Sequence, residues 1–317
     1  MYEHNIVCDI GTSSLKLGYA NERTARQVIP SVVGHTNTCT GTGTTSSSST
    51  CNGGGNGNGH GHGNGQSSCD YVCGTEAVNK TDLKCTNPIQ GGCVHDWAGM
   101  EALLDHSIKR LGDIDNSKSK ILITEPSLNP PEKKKKMLEM LFETMDFGAV
   151  NISNQALLCL YAQGLLTGMV IECGEGVTQI VPVYQGFVSN HLIKRFPITG
   201  NKITSYLSSL SQHRCNSNEI SNLRAVKDMK EKLSYAAIDL DQERRLADET
   251  TVLVEKYTLP DGSVVKLDRE RFECTEAYFD PSLVGIECKG LSDYIFDVIQ
   301  ECDLSTRKDF YQHMVLS

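Results

Sequence analysis

The chain has 317 residues, 39% apolar and 22% charged, with a formal net charge of −9. That length allows a large core and two domains, and the acidic balance gives no electrostatic ground for binding nucleic acid or an anionic membrane surface. The opening "MYEHNIVCDIG" lacks the basic, apolar and small-residue plan of a signal peptide, and no apolar run nears the roughly 20 residues that span a bilayer.

In chain order, Asn5–Cys8 reads as a short apolar strand, and "LKLGYA" alternates like a strand with one solvated face. From about residue 35 to 69 the chain is Thr, Ser, Gly and Asn with little else, so a disordered surface insertion is expected there. His60, His62, Cys69 and Cys73 fall in or beside it, but their spacing is loose for zinc and reads as polar loop. Trp97–Leu111 has apolar residues at helical spacing, and "KILITEP" is a buried strand stopped by Pro126. "NPPEKKKKMLEMLFETM" is a helix with proline in its first turn. Its lysines 133–136 read as a solvated face rather than a nucleic-acid patch. "NQALLCLYAQGLL" is an apolar helix ending near Gly164, and "GMVIECGEGVTQIVPVYQG" is strand, turn and strand. A helix is expected over Ile220–Ala237, a hairpin in "TVLVEKYTLPDGSVVKL" turning at Asp261-Gly262, and another helix over about Leu291–Cys302. The mixture implies an α/β fold. The thirteen cysteines are scattered, several inside apolar segments (Cys8, Cys159, Cys173), and read as buried reduced thiols.

Two stretches share one plan. "IVCDIGTSSLKLGYA" and "VIECGEGVTQIVPVY" each run from an apolar strand to an acid, one residue, a glycine, a short turn and a second strand. The acids are Asp9 and Glu172. Such turns are either ordinary hairpins, one from each half of the chain, or facing nests of backbone N–H groups that take a polyphosphate between them. In the second case the acids would hold a hard cation through its water shell, as magnesium prefers. No Gly-x-x-x-x-Gly-Lys-Ser/Thr, Gly-x-Ser-x-Gly or His-Glu-x-x-His is present.

At these residues the chain resembles the actin superfamily. "PSVVG", "YVCGTEA", "ILITEPSLNP", "MLFETM", "LYAQGLLTG", "GVTQIVPVYQGF", "MKEKLSY", "YTLPDG" and "RKDFYQHMVLS" look like actin segments in actin order. The resemblance implies an actin-like ATPase fold, with duplicated ribonuclease-H-like domains around a nucleotide cleft. The first domain would span 1–162 and the second 163–317, incomplete at its end. "LYAQGLLTG" and "LADETTVLVEKYTLPDG" look most like an actin-related branch of the family that works in a multi-subunit complex nucleating branched filaments.

The resemblance also implies roles. Gly11, Thr12, Ser13, Ser14, Leu15 and Lys16 match the first phosphate loop, and Gly174, Glu175, Gly176 and Val177 the second. Asp9 and Glu172 match the acids of the magnesium water shell. Gln155 matches a glutamine that helps place the attacking water, Gln179 stands at the water-orienting position, and Lys230 and Glu231 match a pair beside the ribose and adenine. ATP and Mg2+ are the implied cofactors. Actin and the other subunits of the complex are the implied partners, in the cytoplasm and cytoskeleton, with no nucleic acid and no membrane insertion.

Departures from the pattern weaken part of this. Ser13 replaces a glycine, Glu172 and Glu175 replace aspartates, Gln179 replaces a histidine and Lys202 replaces an acid. A displaced carboxylate can cost on the order of 10²-fold in a positioned reaction, and Gln179 cannot titrate near neutrality. Nucleotide binding with at most weak hydrolysis is therefore expected. The end "HMVLS" is a strand where the family continues into a glycine pair and a long segment, so a fragment or decayed paralogue is expected. The rival readings are an active phosphotransferase or ATPase, a divergent actin, and a degenerate binding module without nucleotide.

Overall fold

The computed structural model describes residues 4–35, 71–80, 83–212, 223–259 and 262–317. The insertion expected over 35–69 lies outside them except for His35, and so do His60, His62 and Cys69. Cys73 is buried in a strand facing the core, and among the described residues no group of three or more His, Cys, Asp or Glu side chains could hold a metal.

The chain begins with β1 (His4–Ile10), β2 (Ser14–Tyr19) and β3 (Gln27–Pro30), each antiparallel to the one before. β1 alternates: Ile6, Cys8 and Ile10 are buried in the core, which turns Val7 and Asp9 to the opposite face. β4 (Val33–His35), β5 (Tyr71–Cys73) and β6 (Lys84–Thr86) make a small sheet beside helix α1 (Gly74–Asn79), followed by the short pair β7 (Ile89–Gln90) and β8 (Cys93–Val94). Helix α2 (Trp97–Leu111) has the predicted bounds. Asp96 caps it by accepting from the Gly99 amide at 3.1 Å, and Met100, Leu103, Leu104, Ile108 and Leu111 form its buried stripe. β9 (Ser119–Glu125) and β10 (Ala149–Asn154) then add in parallel, giving the sheet order β10-β9-β1-β2-β3.

Between them the helix expected over 129–145 is two pieces. The α-helix α3 covers Pro131–Glu139, and Met140–Thr144 is a wider π turn closed by the Met145 amide on the Met140 carbonyl at 3.0 Å. Met140, Leu141 and Met145 are all buried in the first core.

The second sheet follows α4 (Gln155–Ala162). β11 (Gly168–Cys173) and β12 (Thr178–Tyr184) are antiparallel and buried almost throughout, because helices cover both faces. Val170, Val181 and Val183 pack with Ala156 and Leu160 of α4. Met169, Ile171 and Ile180 pack into a larger cluster on the other side. The sheet also holds β13 (Phe187–Val188) and β14 (Lys194–Phe196). The larger cluster is built from α5 (Gly200–Gln212), α6 (Leu223–Leu233), the hairpin β15 (Glu255–Thr258) and β16 (Val264–Leu267), α8 (Glu270–Glu276), α9 (Leu291–Glu301) and α10 (Leu304–Gln312), with α7 (Leu240–Glu249) outside it. β17 (Met314–Leu316) pairs in parallel with β11.

The helix expected over Ile220–Ala237 is shorter at its C-terminal end. After Leu233 the Tyr235 amide turns to the Arg271 carbonyl at 3.2 Å, and the Arg271 guanidinium lies over the Tyr235 ring. Residues 220–222 lie outside the described set, as does Asp261 of the expected hairpin turn, while Gly262 has φ +89°. No helix among the described residues is long and apolar enough to cross a membrane.

Candidate functional site: two facing glycine turns

The first turn returns β1 into β2. The Gly11 amide donates to the Ser14 carbonyl at 3.2 Å, and a Cβ on Gly11 would stand 2.7 Å from that oxygen, so the return is too tight for a side chain. Ser31 Oγ donates to the Gly11 carbonyl (2.7 Å) and Asn87 Nδ2 to the Thr12 carbonyl (2.6 Å), which fixes the turn from outside. Leu15, just past the turn, is fully buried beneath it.

Asp9 sits on the exposed face of β1 as the hub of a network. Lys16 Nζ lies 3.1 Å from its Oδ2. Thr124 Oγ1, at the end of β9, donates to its Oδ1 at 2.7 Å and accepts from the Ile10 amide at 3.0 Å. Gln155 Nε2, at the first turn of α4, donates to the same Oδ1 at 3.0 Å. One carboxylate is thus oriented by three elements.

The second turn repeats the plan. The Gly174 amide donates to the Val177 carbonyl at 3.0 Å, and the start of α5 holds the turn through the Gly200 and Asn201 amides on the Gly174 and Glu175 carbonyls, both at 3.0 Å. The two turns touch. A Cβ on Gly176 would come 2.5 Å from Thr12 Oγ1, so only glycine lets them meet. Glu172 is 8% exposed. Burial first, and the charge of Asp9 second, push its carboxyl from the usual 4.5 up to about 7. Glu175 is held by two lysines of α6, with Lys227 3.6 Å from Oε1 and Lys230 3.4 Å from Oε2. Lys227 also donates to Ser13 Oγ.

Between the turns lies a cleft of about 560 Å³, within the range of small-molecule sites. Asp9, Gly11, Thr12, Ser13, Ser14, Lys16, Gln155, Glu172, Gly174, Glu175, Gly176 and Val177 line it, together with Thr124, Cys159, Cys173 and Ser317. Leu15, Gln179, Lys230 and Glu231 do not. Gln179 lies fully buried behind the second turn, donating to the Ser127 carbonyl at 3.1 Å, and its Oε1 has no partner among the described residues. Lys230 is spent on Glu175 and on the Gly200 carbonyl (2.9 Å). The side chain of Glu231 is 56% exposed.

The donor set fits a polyphosphate carrying a hydrated hard cation. The amides of Thr12, Ser13, Glu175 and Gly176 donate to no other group among the described residues, and they belong to the two turns that face one another. Two carboxylates, one held near neutrality by burial, supply oxygens of the kind that a hydrated magnesium uses.

Sequence reasoning missed Thr124, Ser127 and Lys227. Thr124 is the residue of β9 beyond Ile123, which pairs with Cys8, so a parallel pairing of "KILITEP" with "IVCDI" would have brought it to Asp9. Lys227 stands one helical turn before Lys230, on the same face.

The sequence matches the family described as "Actin" over residues 2–317. It is 40% identical over 314 residues to the proteins named "Actin-related protein 2" in Oryza sativa, subspecies indica and japonica, and to the protein of the same name in Arabidopsis thaliana. In each case the match covers 98% of this chain and 76% of the relative. With mixed α/β layers carrying two glycine turns, and this match along nearly its whole length, the chain has an actin-like fold and belongs to the actin family.

Proposed function

We propose that the chain is an ATP-binding actin-related subunit that serves as a template for branched actin filaments within a multi-subunit complex. The observation that carries the nucleotide part is the contact of Gly176 with Thr12, which sets two turns with free amides across one cleft beside Asp9 and Glu172. The relatives named actin-related protein 2 support the assembly part, with actin and the other subunits of the actin-related protein 2/3 complex as partners in the cytoplasmic cytoskeleton. We place the domain division at 1–162 and 163–317, with the cleft between them.

ATP with Mg2+ would supply a polyphosphate for the free amides of the two turns and a divalent charge for the two acids. The amides of Thr12, Ser13, Glu175 and Gly176 would hold it, and Lys16 would offer a cation beside Asp9. Asp9, fixed by Thr124 and Gln155, and the buried Glu172 would hold the water shell of the metal. Lys230 and Glu231 lie outside the cleft lining, and a place for them beside ribose and adenine rests on the family resemblance alone. Gln155 touches the cleft and can hold a water there. Gln179 is tied to Ser127 outside the lining and has no proton to exchange near neutrality, so hydrolysis is weak at most.

Calorimetric titration of the full chain with Mg-ATP tests the nucleotide part, and co-purification with the other complex subunits tests the assembly part. A folded chain that binds no nucleotide would establish the degenerate binding module. Phosphate release faster than the slow turnover of actin would establish an ATPase.

A further inference from the structure

Lys227 is the one described side chain given polar contacts to both turns. Its ammonium donates to Ser13 Oγ on the first turn and pairs with Glu175 Oε1, at 3.6 Å, on the second. The side chain is 25% exposed and Glu175 is 13% exposed, so water competes only in part for this bridge. Lys230, one helical turn on, holds the other carboxylate oxygen and the Gly200 carbonyl. Glu231, 3.9 Å from Lys227 on its outer side, is the third group facing the ammonium. Helix α6 thereby fastens the acid of one turn to the hydroxyl of the other. We propose that Ser13, Lys227 and Glu175 form a latch that sets the gap between the two turns, with Lys227 as the positioning residue.

The latch needs the two substitutions that the family pattern marks as departures. A glycine at 13 offers no oxygen to Lys227. An aspartate at 175 is one methylene shorter and retreats from a contact already at 3.6 Å. Ser13 and Glu175 are therefore paired changes joined through one cation. That the gap serves a polyphosphate rests on the nucleotide reading above, while the latch itself rests on the contacts of Lys227 with Ser13 and Glu175.

Cys173 lines the cleft and Cys8 is fully buried in the first core, so the two thiols separate cleft opening from unfolding. The full chain, without nucleotide, is treated with N-ethylmaleimide, and each cysteine is followed by peptide mass spectrometry. Lys227→Met and Ser13→Ala should each raise the Cys173 rate about fivefold, and the double variant should react no faster than either single one, with Cys8 unchanged. Lys227→Arg should react like the wild type. Unchanged Cys173 rates in the single variants, or independent effects that multiply in the double, would overturn the latch. Ser13→Ala removes a single oxygen and keeps the test decisive if Lys227→Met does not fold. In parallel, the single variants should bind Mg-ATP about tenfold more weakly. Wild-type protein that binds no Mg-ATP defeats the nucleotide reading but leaves the thiol result to judge the latch.

Discussion

Glu172 is buried in the cleft beside the charge of Asp9. Its carboxyl stands at about 7 in the folded protein against an ordinary 4.5, so folding takes up a proton between those values. The stability it contributes is fully present below about pH 4.5 and is lost as the pH rises to about 7. Glu172→Gln should flatten this dependence, removing up to about 3 kcal/mol of the loss between pH 5 and 8, read from urea midpoints at several pH values. An unchanged profile would place the burial penalty elsewhere. Thr124 gives a second expectation. Thr124→Val leaves the Ile10 amide without its acceptor and removes one of the three donors to Asp9, and should destabilise the fold by about 1–3 kcal/mol, whereas Thr124→Ser should keep the network. Asp9 and Glu172 were legible in the sequence because each follows an apolar run and precedes a glycine. The roles of Thr124 and Ser127 were not, since they arise from pairing between segments far apart in the chain.

The turns carry the argument at the scale of elements. Gly176→Ala drives a methyl group to within 2.5 Å of Thr12 Oγ1, so one turn must retreat. Neither Gly176 nor Thr12 belongs to a buried cluster, so the variant should fold while losing on the order of 10²-fold in Mg-ATP affinity. Equal affinity in Gly176→Ala would show that the turns do not act together. Helix α2 was readable to the residue because a capping aspartate and an apolar stripe agree. Helix α5 went unread because half of its buried face is Thr204, Ser208 and Ser211, which hides the helical period. The reading of 220–237 ran too long because Tyr235 leaves the helix for Arg271, a tertiary contact with no local signal. The strands from β3 to β6 are short and flank the Thr/Ser/Gly/Asn segment, where no alternation has room to show.

For the whole molecule, two five-stranded sheets, each with a glycine turn at its cleft end, account for the duplicated plan seen in the sequence. Family membership follows from the match over residues 2–317, and the proposal of a nucleotide in the cleft is argued from the two turns that meet there. If the chain is a template rather than an enzyme, nucleotide should change its assembly more than it is consumed. The fraction that co-purifies with the other complex subunits should then rise with Mg-ATP, with little phosphate released. The most direct test of the central claim is calorimetric titration of the full chain with Mg-ATP, beside Asp9→Ala. The account predicts saturable, magnesium-dependent binding with a Kd well below about 1 mM, weakened at least about tenfold in the variant. A folded wild-type chain that takes up no heat at millimolar Mg-ATP and is not stabilised by it would contradict the account.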